Sequence, residues 1–136
     1  MQRFRANLPL VAAALLVAAA GIAVLTAQPA PSVKRNVLMK QDSTVPGREV
    51  VMADVEIPAG GSEGKHTHPA EVYAYVREGE LQLFVEGQPD RTVKAGDVFT
   101  IAPGQVHMGT NKTKNTVKLL AVFFAEKGKP LTTPVQ

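Results

Sequence analysis

Cysteine is absent from this chain. That excludes disulfides, and it excludes a lipid-modified cysteine behind an export signal. Clustered basic charge is missing too. Fifteen Lys and Arg face twelve Asp and Glu, for a formal charge of +3, and they form no patch. The balance argues against nucleic acid as a partner. Tryptophan is absent and only two tyrosines occur. Beyond the first 27 residues helical periodicity is hard to find, and there is no internal repeat. The chain holds three histidines, His66, His68 and His107, all between glycine-rich turns.

The N-terminus carries the layout of a secretory signal peptide. Arg3 and Arg5 precede an apolar run from Leu8 to Leu25, and small residues follow at Thr26 and Ala27. Cleavage after Ala27 is expected, which places the mature protein in the periplasm or outside the cell. The alternative is an uncleaved membrane anchor, since the run of 18 residues is at the lower limit for a span. Arg3 and Arg5 are the only charged residues of the leader, so the mature chain carries +1. A small exported domain usually needs a staple. Without cysteine the candidates are barrel closure, a bound metal and dimerisation.

Residues 28–35 read as a linker rich in proline and small residues, residues 36–126 as one domain, and residues 127–136 as a polar surface tail. Within the domain, short β-branched and aromatic runs alternate with turn signals. The strands expected are Val50 to Ile57, Val72 to Val76, Leu81 to Val85, Arg91 to Lys94, Val98 to Ile101 and Val117 to Ala125. Turns at this spacing predict an all-β sandwich or barrel.

His66 and His68 are two residues apart. On an extended segment alternate side chains share one face, so both rings could hold one ion. His107 follows the turn Pro103-Gly104-Gln105-Val106 and could supply a third nitrogen from another strand. Imidazole is the commonest protein ligand for first-row transition metals. The plain alternative is three solvated surface histidines. It is weakened because the chain has no histidine outside these two motifs. Histidine donors do not choose among Fe, Mn, Ni, Zn and Cu.

These residues stand in an ordered pattern. Gly60, His66, His68 and Gly79 match glycine, five residues, H-x-H, then a closing glycine. Gly96, Gly104, His107 and Asn111 match glycine, a Pro-x-Gly turn, histidine and asparagine, with Ala102 where the pattern has proline. The pattern resembles the two motifs of the cupin superfamily. That resemblance, over about residues 47–125, implies a jelly-roll β-barrel with a metal in its mouth, and a homodimer. The exposed-looking row of Tyr73 and Tyr75 agrees with an interface.

The resemblance breaks at one place. The superfamily's glutamate ligand falls at position 72 by counting from either anchor, and residue 72 is valine. Glu71 is one place early, and a shift of one residue reverses the face. Val72, Ala74 and Val76 suit a barrel interior, so Glu71 is expected outside, near Arg77 or a subunit contact. A bulge after Pro69 is the alternative that would bring it in. Three neutral nitrogens leave two or three positions open on a divalent ion, enough for water, a bidentate ligand or dioxygen.

Two functional classes follow. One is an exported metal-dependent dioxygenase or isomerase acting on a small oxygenated molecule. The other is a non-catalytic module that binds a metal or small ligand. No general base is defensible from sequence, and few polar residues fall at expected interior positions.

Overall fold

The computed structural model describes residues 31–136. The leader expected over residues 1–27 and the start of the linker lie outside the described residues. Among the described residues there is no helix. Ten strands form two five-stranded antiparallel sheets. The first sheet runs β1 (Lys34–Asp42), β2 (Arg48–Ile57), β9 (Val117–Glu126), β4 (Ala70–Glu78), β7 (Val98–Ile101). The second runs β10 (Thr133–Pro134), β3 (His66–Thr67), β8 (His107–Thr110), β5 (Glu80–Val85), β6 (Arg91–Lys94). Their inner faces share one hydrophobic core. This is the expected all-β jelly roll.

Alternation of side chains builds that core. In β4, Ala70, Val72, Ala74 and Val76 are buried, while Glu71, Tyr73, Tyr75 and Arg77 point out. The strand has β-branched and small residues on one face and polar or amphipathic ones on the other, so only one register buries the apolar set. β2 and β9 alternate buried and half-buried positions and pair along their whole length, from Arg48 opposite Glu126 to Ile57 opposite Val117. β9 lies between β2 and β4, with one row of side chains in the core and its apolar outer row, Leu120, Val122 and Phe124, half-buried.

Four strands were not anticipated. β1 starts at Lys34, within the expected linker, and is exposed along its length. β3, β8 and β10 are short and take their extended form from their neighbours. β3 and β10, at two residues each, carry too little pattern of their own to be read in sequence, and the four residues of β8 include a glycine and no apolar alternation. The C-terminal segment is exposed over residues 127–130 and 133–136, but Leu131 packs against the core and the segment is paired. Thr133 and Pro134 stand opposite Thr67 and His66, and Val135 N–H donates to Lys65 O at 2.9 Å.

Asn111 ties the loop after β8 to the end of β2. It is fully buried, and its amide donates to the carbonyls of Ile57 (2.9 Å), Pro58 (3.1 Å) and Asn115 (2.7 Å). Its Oδ1 accepts from Thr113 N–H and Oγ1–H at 2.9 and 2.7 Å. An uncharged amide serves both the donor-rich and acceptor-rich sides of this loop.

Candidate metal centre

The second sheet brings the three histidines together. β3 and β8 are antiparallel neighbours, with His66 directly opposite His107. His68 continues from β3 on the same face as His66, and the intervening Thr67 faces the other way, half-buried. All three histidines are buried. Their ring centroids are 4.2 Å apart for His66–His107, 4.7 Å for His66–His68 and 4.9 Å for His68–His107. One ligand nitrogen from each lies within 4.8 Å of the others.

Backbone carbonyls set the tautomer of every ring. His66 Nδ1 is 2.8 Å from Gly64 O, His68 Nδ1 2.7 Å from Leu131 O, and His107 Nδ1 3.0 Å from Gln105 O. A carbonyl oxygen only accepts, so Nδ1 carries the proton in each ring. The nitrogen left with a lone pair is Nε2 in all three. Burial pushes the His68 pKa down to about 4, against the raising effect of the Leu131 carbonyl, with His66, His107 and Arg35 adding to the depression. Burial likewise pushes His107 down to about 4, opposed by the Gln105 carbonyl bond. Both rings are therefore neutral at neutral pH. Three imidazoles with the same Nδ1 partner type form a donor set suited to a divalent transition ion, with outer partners already fixing their orientation.

Turn geometry holds the two motifs together. Gly104 has φ of +73°, a conformation that disfavours any residue with a Cβ. Its N–H donates to the His68 carbonyl at 2.9 Å. Gln105, a side chain close along the chain to any bound ligand, instead turns its Oε1 back to accept from Ala102 N–H at 3.2 Å. It serves the turn.

Val72 is buried and lines the same cavity as His68 and His107. Glu71 is exposed and accepts a hydrogen bond from Tyr73 OH at 2.6 Å. Arg77 pairs with Asp54 (2.7 Å), not with Glu71. No bulge re-aims Glu71, since β4 pairs regularly with β9 from Ala70 to Val76.

The cavity beside the histidines is narrow, about 40 Å³. Its walls are apolar, including Phe123, whose ring packs edge-on against His68 at 5.0 Å. Two charged residues that sequence reading missed also line it, Arg35 from β1 and Glu63 from the loop before β3. Arg35 fell in the expected linker. Glu63 sits in a glycine-rich turn, where a carboxylate is ordinarily solvated.

Comparison with known proteins agrees with this architecture. The cupin domain family matches residues 53–123. Germin-like protein subfamily 2 member 2 of Arabidopsis thaliana is 35% identical over 79 residues, 54% of this chain and 36% of that protein. The chain thus spans about a third of that relative's length. A double-stranded β-helix protein from Klebsiella pneumoniae superposes with a TM-score of 0.65 at 21% identity, covering 78% of this chain and 89% of that one. An oxalate oxidase structure superposes with a TM-score of 0.58 at 30% identity, covering 63% of this chain and 46% of that one.

Proposed function

The chain belongs to the cupin family, and we propose that it is a metal-binding cupin whose His66, His68 and His107 hold one divalent transition ion. The observation that carries this reading is the shared tautomer. Three buried rings each commit Nδ1 to a carbonyl, leaving three Nε2 lone pairs as the free donors. Fe, Mn, Ni, Zn and Cu all suit such donors. A bound ion would supply Lewis acidity towards a small oxygenated ligand, and its open positions suit a dioxygenase or isomerase. Similarity to an oxalate oxidase favours oxygen chemistry on a small molecule. The protein's own contribution is to orient the donors, keep His68 and His107 neutral and line the cavity with apolar walls that exclude water. A non-catalytic binding module is the second reading, favoured by the valine at position 72.

Metal analysis of the purified protein tests the site. About one equivalent per chain is expected, and His68→Ala should lose most of it. Equal metal content in the two proteins would refute the assignment. Oxygen-uptake screening with small phenols and diketones then separates enzyme from binding module.

A homodimer is part of the same proposal. Tyr73 and Tyr75 are exposed on the outer face of the first sheet, beside half-buried Met52, Leu120, Val122 and Phe124. An apolar face of this kind suits a subunit contact. Light scattering should give twice the chain mass, and Val122→Lys should halve it. A monomer at high concentration would refute the dimer. Export is proposed from the leader, and N-terminal sequencing of exported protein should begin near Gln28. An intact Met1 in a membrane fraction would favour the anchor.

A further inference from the structure

Arg35 and Glu63 stand at the mouth of the histidine cavity and face each other, Arg35 Nη2 to Glu63 Oε1 at 3.2 Å. Their exposures differ. The Arg35 side chain is 43% exposed, whereas that of Glu63 is 13% exposed. The carboxylate is thus the inner member of the pair, and the guanidinium is the outer one.

Glu63 is held inward by strand β8. Its N–H donates to Gly109 O at 3.0 Å. A Cβ at position 109 would lie 2.9 Å from Glu63 Oε2. Glycine at 109, two residues along the strand from His107, therefore makes room both for this carboxylate and for Leu81, whose Cδ2 would lie equally close at 2.9 Å. Glu63 nonetheless stays out of the group of converging ligand atoms, which comprises the three histidines.

Charge then points to the kind of ligand. Imidazole donors bring no negative charge to an ion, and valine stands where a carboxylate would otherwise enter the cluster. A divalent ion there would keep its full charge, with Arg35 adding one more positive charge and Glu63 supplying the compensating carboxylate. A guanidinium presents five N–H donors in a planar fork matched to a carboxylate. One contact at 3.2 Å leaves most of that fork free. The cavity, about 40 Å³, admits only a few water-sized groups, at roughly 10–15 Å³ for each.

Resting on the metal-centre reading, we propose that Arg35 and Glu63 form a charged latch, and that the ligand is a short carboxylate with a second oxygen donor, such as a 2-hydroxy or 2-oxo acid. Its carboxylate takes the Arg35 fork, displacing Glu63, while the second oxygen reaches the ion. Glu63 is then the internal stand-in for the ligand's own carboxylate. Arg35 sets specificity by charge, and the apolar walls limit length.

The test uses full-length protein loaded with cobalt(II) and follows its visible spectrum during titration with glycolate and with glycolamide, its neutral isostere. Wild type should bind glycolate and respond weakly to glycolamide. Arg35→Gln should weaken glycolate by about tenfold or more, the scale of a lost charge-assisted pair, with cobalt binding retained. Glu63→Gln should strengthen glycolate severalfold by removing the competing charge. Arg35→Lys keeps the charge without the fork and should fall between. The latch is overturned if Arg35→Gln binds glycolate like wild type, if Glu63→Gln weakens it, or if glycolamide follows glycolate through the series. Cobalt binding with no glycolate response in wild type also overturns it, and leaves the metal reading standing. Failure of wild type to hold cobalt overturns the metal reading and this one with it.

Discussion

The carbonyl of Leu131 accepts the Nδ1–H of His68 at 2.7 Å, joining residues 63 positions apart in the chain. The C-terminal segment thereby fixes the tautomer and the ring plane of a candidate ligand. Thr132 Oγ1 lies 3.4 Å from the same nitrogen, and β10 keeps the segment in place against β3. Removing residues 131–136 should leave the barrel folded but weaken metal binding by roughly 10-fold to 100-fold, the usual effect of losing an outer partner. Metal titration of the truncated protein checks this, and an unchanged affinity would show that the carbonyl is dispensable.

Val72 and Glu71 make opposite predictions. Glu71→Gln should leave metal content unchanged, because Glu71 faces solvent and bonds Tyr73. Val72→Glu puts a carboxylate into the cavity lined by His68 and His107. Without metal it should destabilise the barrel by several kcal/mol, about 3–5 for an uncompensated buried charge. Metal should restore much of that stability. Thermal unfolding with and without metal decides, and equal destabilisation in both would count against the placement of residue 72.

Acid should destabilise the metal-free protein. His68 and His107 have folded pKa values near 4, below the ordinary 6.5. Between those values the unfolded chain binds more protons, so stability falls as pH drops from about 6.5 towards 4. Above 6.5 the contribution is fully present. The loss should be on the order of 1–2 kcal/mol per histidine after allowing for solvent screening. Denaturant melts at pH 7.5, 6, 5 and 4 measure it. His107→Gln should flatten part of the slope, and an identical slope in that variant would refute the assignment.

Asn111→Ala should cost roughly 3 kcal/mol or more, since three carbonyls and two Thr113 donors lose their partner in a closed site. Asn111→Asp should fare little better, because a carboxylate cannot donate to those carbonyls. Chemical denaturation midpoints check both. A change under about 1 kcal/mol, the worth of one ordinary hydrogen bond, would mean that the loop finds other partners.

Much of this protein was determined locally. The alternation of Val72, Ala74 and Val76 with Glu71, Tyr73 and Tyr75 settles which face of β4 is buried, because the two-residue period of a strand admits one burial of the apolar set. The same period places His66 and His68 on one side. Gly104 and Pro103 mark the turn that precedes His107. Those signals are carried by neighbours within a few residues. Contacts between distant segments were decided only by tertiary structure. β1 has no apolar alternation to announce it, and its strand form comes from pairing with β2. Arg35 reaches the cavity because β1 lies at the edge of the first sheet, and Glu63 meets it across 28 residues. The Leu131 carbonyl reaches His68 because a two-residue strand docks on another two-residue strand. Such pairings depend on closure of the whole barrel, and no periodicity in the chain encodes them.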